Sequence, residues 1–391
     1  MKNGNHTAAA VSFDLSVINA DGTPGRRVKR HKNLTLNRGL NMLFDTQWTS
    51  LFTYFCLGTS SNPTSRDSGN ITVSIAGGVA TASAGFFEAQ DVTRLLKLDS
   101  EDPAGPGVII TGFNGPTSVA VATLATIPAA QFTVWYVSDV ALGAEVQRFN
   151  LRSGDTGDHG YAWNGATGVL STWVTRVSNA VTAASQTFKE IGWDRDGGGG
   201  AVTGRALINN GIGDTLMLGQ KYKVRVQLDR TFGPLVVRGC PQLVGWTGTA
   251  EECIETLTAS YWNVNGDEPG GEKIHDPCGV PGLMLADYSD ALRAPFFWGV
   301  QGQPRLAGDV QPYGGRGMDR LPYVQNSFEN NCKGVIDAGI GTMPKIRSIS
   351  LGDYWGTREC QRMLMSADQI KTSADKVEVN FRKTWGRILV N

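Results

Sequence analysis

The sequence predicts a mainly β protein built from short antiparallel strands, and three observations support this class. The chain contains 49 glycines and 16 prolines among 391 residues, which suits a fold with many turns. Only 18% of its residues are charged. Between residues 86 and 152, β-branched and polar residues alternate, and Gly or Pro interrupts them at spacings of about ten residues. Regular short strands of this kind are typical of sandwiches and barrels.

We expect an antiparallel β-sandwich with a large irregular insertion. Residues 1–234 form the β-sandwich domain, and residues 235–344, rich in Gly, Pro, Trp and Cys, form an insertion or a second small domain. Residues 345–391 supply C-terminal strands that complete the sandwich, because the last strand alternates apolar and polar residues. Six side chains of the predicted strands should be largely buried: Trp193, Val224, Val226, Leu228, Val379 and Phe381.

The first predicted strand covers residues 9–20, where apolar residues occupy every second position from Val11 to Val17. The basic stretch RRVKRHKN at residues 26–33 follows a turn. We interpret it as the solvated face of an edge strand, and a contact with nucleic acid or an acidic partner is the alternative.

A short helix is predicted after the basic stretch, because Leu40, Leu43 and Phe44 are three and four positions apart. Asn37 is the expected N-cap. The apolar strand that follows ends at Gly58, before a turn rich in Ser, Asn and Pro.

The stretch WDRDGGGG raises the question of a cation site, because Asp194 and Asp196 imitate the first two ligand positions of a calcium loop. Arg205 occupies the position where such a loop has its glutamate. The flanking segments alternate like strands, so we predict a β-hairpin whose tip, residues 194–201, is mobile or makes contacts and binds no cation.

Composition excludes several classes of function. The chain has 36 basic and 36 acidic residues, so no global field attracts nucleic acid. It has no run of eighteen apolar residues and no apolar signal core at its N-terminus, so we expect no membrane insertion and folding in the cytoplasm. Six cysteines show no zinc-type spacing, and we expect buried thiols rather than disulfides: Cys56, Cys240, Cys253, Cys278, Cys332 and Cys360.

Several phrases of the sequence occur together in a familiar order. They are LTLNRGLNMLF, FCLGTSSNPTS, FKEIGW, GRALIN, GDTLMLGQKYKVRVQLD and FRKTWGRI. Together they resemble the tail, baseplate and fibre-associated structural proteins of tailed bacteriophages, over roughly residues 10–234 and 345–391. The insertion departs from this pattern. The location of the protein in the particle therefore stays undecided among the tail tip, baseplate, fibre, collar and capsid surface.

The resemblance implies a virion protein made in the host bacterial cytoplasm, present in several copies and in contact with itself and with other virion proteins. No cofactor, metal or catalytic residue is expected, and the chain is not expected to be an enzyme. Aromatic residues in segments predicted to be loops are suited to subunit interfaces. The candidate interface residues are Trp163, Trp246, Trp262, Phe297 and Trp298. They lie in the insertion and in the polar loop at residues 153–168.

Two other functions stay open at this point. A receptor-binding module could stack host surface glycan on loop aromatics. A glycan hydrolase would need positioned acids or bases, and the sequence offers three weak sets of candidates: His275 with Cys278, Asp155 with Asp158 and His159, and Asp267 with Glu268. We interpret these sets as loop polarity.

Overall fold

The computed structural model describes residues 6–44, 51–100, 107–151, 158–164, 167, 169–198, 200–232, 253–256, 295–299, 314–317, 319–337, 343–352, 359–374 and 376–389. In these residues the protein is mainly β, as predicted, with antiparallel pairing in each of its sheets. The classification of the sheets as a sandwich stays a prediction. No helix in the described ranges is long and apolar enough to span a membrane.

The strands follow in chain order: β1 His6–Ile18, β2 Pro24–Thr35, β3 Tyr54–Gly58, β4 Ser65–Asp67, β5 Val73–Ala76, β6 Val79–Ala82, β7 Leu95–Leu98, β8 Val108–Gly115, β9 Ser118–Val121, β10 Ile127–Ala130, β11 Phe132–Trp135, β12 Glu145–Phe149, β13 His159–Asn164, β14 Val169–Val177, β15 Ser185–Phe188, β16 Glu190–Asp194, β17 Gly204–Leu207, β18 Asp214–Met217, β19 Lys221–Phe232, β20 Cys253–Thr256, β21 Pro295–Gly299, β22 Gly314–Gly317, β23 Asp319–Arg320, β24 Glu329–Ile336, β25 Met343–Gly352, β26 Glu359–Lys371 and β27 Val377–Arg387. The α-helix α1 (Asn37–Met42) follows β2, and 3-10 turns cover Ala89–Asp91 and Ile208–Gly211.

The largest sheet has the order β12-β3-β16-β17-β2-β1-β19-β14-β13, and β27 joins it by pairing in parallel with β1. The alternation in β1 is confirmed, since its apolar side chains point into the main core. Phe13 of β1 packs against Phe55 of β3 and Trp193 of β16, with ring centroids 6.1 and 5.3 Å apart. The sheet therefore folds back on itself, so that β1 faces β3 and β16.

The predicted burial of Trp193, Val224, Val226 and Leu228 is confirmed. Val379 and Phe381 lie in β27, opposite residues of β24, and only their backbone is described.

A second sheet of eight strands, in the order β10-β5-β6-β9-β8-β7-β11-β4, is built from residues 65–135 alone. It has its own core, in which Val73, Ile110 and Val134 are fully buried. A smaller apolar cluster, which includes Leu36, Cys56 and Trp135, contains residues from both sheets.

Two smaller sheets complete the described structure. β15 and β18 form a two-stranded ribbon, and the order β20-β26-β25-β21-β22 forms a sheet of five. Of the strands predicted for residues 345–391, β27 pairs with the main sheet, whereas β25 and β26 pair with strands of residues 253–317. The three-part division into domains stays a prediction.

Two local predictions need correction, and the interpretation of the basic stretch is not one of them. β17 pairs with β2 only at Leu34 and Thr35, so no second strand pairs with residues 26–33 in the described part of the chain. Arg26 and Arg27 are exposed, whereas His31 is buried. The N-cap of α1 is Leu36, and Asn37 is its first residue. The polar loop predicted for residues 153–168 contains a strand, β13, in its second half.

The predicted buried thiol is confirmed for Cys56, which is free and fully buried. Burial raises the pKa of this thiol well above its ordinary value, so it stays protonated and unreactive in the folded protein.

Candidate functional site

The phrase NRGLN meets the phrases EIGW and TGRAL, which form one hairpin far from it in the chain, at one place in the fold. A Cβ atom on Gly39 of α1 would lie 2.3 Å from the carbonyl oxygen of Thr203. A Cβ on Gly204 would lie 1.9 Å from the ring of Trp193 in the neighbouring strand. Only glycine permits these approaches. The two glycines are therefore required by the packing of the helix against the β16–β17 hairpin.

A buried carboxylate, Glu190 of β16, holds the loop before β12. Its two oxygens accept hydrogen bonds from the backbone N–H groups of Gly143 at 3.1 Å and Ala144 at 2.9 Å. Arg205 of β17 lies 3.5 Å from the same carboxylate and donates to Asp139 at 2.7 Å. Both charges at the strand pair are therefore satisfied inside the protein.

A second buried carboxylate, Asp194, lies at the start of the hairpin connection. It is fully buried and accepts hydrogen bonds from Arg38 of α1 and Arg148 of β12, each at 3.3 Å. Arg148 also pairs with Glu145 at 2.9 Å, and Arg38 lies 3.4 Å from Asp196. We call these five residues the ionic cluster. The prediction of a mobile or contact-making tip is wrong for Asp194, because two guanidinium groups fix its side chain.

No group of three or more His, Cys, Asp or Glu side chains suited to a metal ion occurs in the described parts of the chain. His159 and Asp158 contact each other, with Nδ1 2.7 Å from Oδ1. The remaining candidates for cation binding or hydrolysis lie outside the described residues: Asp155, Asp267, Glu268, His275 and Cys278.

An open groove of about 570 Å³ runs beside α1, lined by Arg38, Thr93, Ser138 and Gln325 among others. Segment 321–328 closes one wall of it. There the Tyr323 hydroxyl donates to Asn41 at 2.6 Å, and the Tyr323 ring stacks on Phe44 with centroids 4.3 Å apart. Trp385 lies almost parallel to both rings, so the aromatic groups at this wall hold β27 against the helix.

The ribbon of β15 and β18 has two different faces. Phe188 and Leu216 are buried in the main core. On the outward face, Met217 is 55% exposed. Leu218, just after β18, is 59% exposed and Ile212, just before it, is 81% exposed. Exposed apolar patches are typical of surfaces that contact other molecules.

The ribbon also contains a single charged residue. Residues 177–188 contain no charged side chain, and residues 206–220 contain only Asp214. That carboxylate is occupied by the protein, since Arg26 contacts both of its oxygens at 2.7 and 2.8 Å, and the Tyr222 hydroxyl donates to it at 2.6 Å. Burial and this hydrogen bond raise the pKa of Tyr222, so its hydroxyl remains a donor.

The predicted interface residues are placed only in part. Trp246 and Trp262 lie outside the described residues. Trp163 lies in β13 opposite Leu170, and Phe297 and Trp298 are consecutive in β21. The structure describes the backbone of these three, and their role at an interface stays a prediction.

Sequence reasoning missed the exposed side chains of the ribbon, although a signal was present. Two runs flank the hairpin phrase: residues 177–188, without a charged side chain, and residues 206–220, with Asp214 alone. The second run contains the apolar sequence LML. A criterion based on aromatic residues does not select Met217 and Leu218.

Comparison with known proteins adds no relative: no family model, no curated protein and no solved structure matches this chain.

Proposed function

We propose that the chain is a structural component of a tailed-phage particle, in the tail, baseplate, fibre or collar, and that it joins other particle proteins by protein–protein contacts. The exposed apolar side chains of the ribbon and its flanks carry the assembly role. Met217, Leu218 and Ile212 are all more than half exposed there, on a well-packed scaffold.

The resemblance of the sequence phrases supports the particle as the setting. Their glycines and buried carboxylates build a rigid junction of α1, β3, β16 and β17. A rigid scaffold that holds an apolar ribbon suits a protein that must dock without changing shape.

The proposal is tested by mass spectrometry of purified particles from the phage or prophage that encodes the chain. We expect its peptides in the particles, at several copies each. A Met217→Asp, Leu218→Asp variant should fold but be lost from the particles. The matched control is Leu124→Asp in the connection between β9 and β10, where Leu124 is 83% exposed, and this variant should be incorporated. Absence of the wild-type chain from the particles would refute the proposal.

A receptor-binding module for host glycan is the second candidate, and the groove beside α1 favours it. Arg38, Thr93, Ser138 and Gln325 carry hydrogen-bonding groups suited to sugar hydroxyls. A glycan array should then show a binding signal that Gln325→Ala weakens and that Met217→Asp leaves intact. An array without any signal would leave only the assembly role.

A further inference from the structure

Among the described residues, β15 pairs with β18 alone, and no strand pairs with its outer edge. Leu218 N donates to Ala184 O at 3.1 Å, and since hydrogen-bonded pairs alternate along an antiparallel ladder, Gln186 and Phe188 also bond towards β18. The N–H and C=O groups of Ser185 and Thr187 therefore point away from β18. In the described part of the chain no hydrogen bond reaches them.

The outer edge of β18 is closed by the protein itself. Thr215 O accepts a hydrogen bond from Arg26 at 2.7 Å. Met217 N donates to the Gln220 side chain at 2.9 Å, and Gln220 N donates back to Met217 O at 3.0 Å. The ribbon can therefore be extended on the β15 side alone.

We propose that a second copy of this chain pairs with this edge, β15 against β15, in antiparallel register about a two-fold axis at Gln186. In this register Ser185 of each copy lies opposite Thr187 of the other. Each of these two pairs exchanges two hydrogen bonds, which gives four bonds in all. If the register shifted by two residues in either direction, only one such hydrogen-bonded pair would lie within β15 of both copies. The inference rests on the proposed assembly function and identifies a second copy of the chain as the partner of the β15 edge.

The strand is suited to pairing with a second copy. About the two-fold axis, the N–H and C=O groups of Ser185 meet the C=O and N–H groups of Thr187 of the other copy. No charged residue occurs in β15, so the two-fold axis brings no like charges together, and the chain has no formal net charge to oppose association. Thr187, Thr215 and Met217 share the outward face of the ribbon, which continues across the axis.

Cysteine cross-linking tests the register. At the axis, Gln186 of one copy lies roughly 4.5 Å from Gln186 of the other between Cα atoms, within the range that disulfides span. Under mild oxidation with diamide, Gln186→Cys should give a covalent dimer, and peptide mapping should find residue 186 joined to itself. Thr187→Cys is the matched control and should give less than a tenth of that dimer. If Gln186→Cys does not fold, the double variant Ser185→Cys, Thr187→Cys should cross-link between unlike positions.

Sedimentation equilibrium provides the second readout. The wild-type chain should show a concentration-dependent dimer, and Ser185→Lys should weaken the association at least tenfold. Thr117→Lys, at an exposed turn of the eight-stranded sheet, should leave it unchanged. A monomer at all concentrations with no cross-link at residue 186 would overturn the inference. If Ser185→Lys then still prevented incorporation into particles, a different chain would occupy the edge and the assembly proposal would stand.

Discussion

The ionic cluster and the ribbon invert the usual distribution of residue types. In the ionic cluster, Asp194 is fully buried and Arg148 is 10% exposed, although charged side chains ordinarily face water. On the ribbon, Met217 and Leu218 are more than half exposed, although apolar side chains ordinarily face the core. The two regions are close in sequence, since β15 leads directly into β16.

This contrast leads us to assign the two regions different roles, one in folding and one in association. The ionic cluster ties α1, β12 and β16 together through directional contacts, and its energetic role lies within one chain. The ribbon has apolar side chains that folding of one chain leaves exposed, and in our proposal its energetic role lies between chains. Substitutions in the first region should therefore change stability, and substitutions in the second should change association.

The largest loss of stability is expected at the hairpin beside the ionic cluster. Gly204→Ala should lower the free energy of unfolding by about 3 kcal/mol, because its Cβ would overlap the buried Trp193 ring. Gly198→Ala is the matched control, since a Cβ there meets no atom within 4 Å. Urea unfolding checks both, and equal stabilities for the two variants would contradict the close packing.

Asp194→Ala should lower the free energy of unfolding by about 3 kcal/mol. The Nη1 group of the largely buried Arg148 guanidinium would then lose the carboxylate that it contacts. Asp196→Ala should cost less than about 0.5 kcal/mol, since the Asp196 side chain is 60% exposed. Thermal unfolding followed by circular dichroism compares the two. Calcium-dependent stabilisation that Asp194→Ala abolishes would instead indicate a cation site.

Arg26→Ala tests how the ribbon is attached to the scaffold. We expect a loss of about 0.5–1 kcal/mol, since the Arg26 side chain is 46% exposed and its ion pair with Asp214 is partly screened. Hydrogen exchange should speed up at β18 and stay unchanged at β16. Faster exchange in both strands would mean that the ribbon and the ionic cluster unfold as one unit.

The smallest effect on stability is expected for the ribbon itself. Met217→Ser and Leu218→Ser should each shift the free energy of unfolding by no more than about 0.5 kcal/mol, because both side chains are more than half exposed. Urea unfolding at a concentration that keeps the chain monomeric measures the shift. A loss above about 2 kcal/mol would place these side chains in the core and remove the contrast.

Local features of the fold were predictable, whereas long-range features were not. Alternation identified β1, and three- and four-residue spacing identified α1, because both patterns depend on neighbouring residues. The separate sheet of residues 65–135 was missed, because sheet membership depends on pairing between distant segments.

The same limit applies to the candidate sites. The burial of Asp194 depends on Arg38, 156 residues away, and on Arg148, 46 residues away, and no local pattern marks those partners. The low charge along the ribbon, in contrast, is readable directly, and only its exposure needed the structure.

The most direct test of the division between folding and assembly is sedimentation velocity of the Met217→Ser, Leu218→Ser double variant beside Asp196→Ala, at a concentration where the wild-type chain associates. We predict that the double variant sediments as a monomer with unchanged thermal stability, whereas Asp196→Ala associates like the wild type. Association of the double variant at wild-type strength would contradict the assignment of the ribbon to assembly.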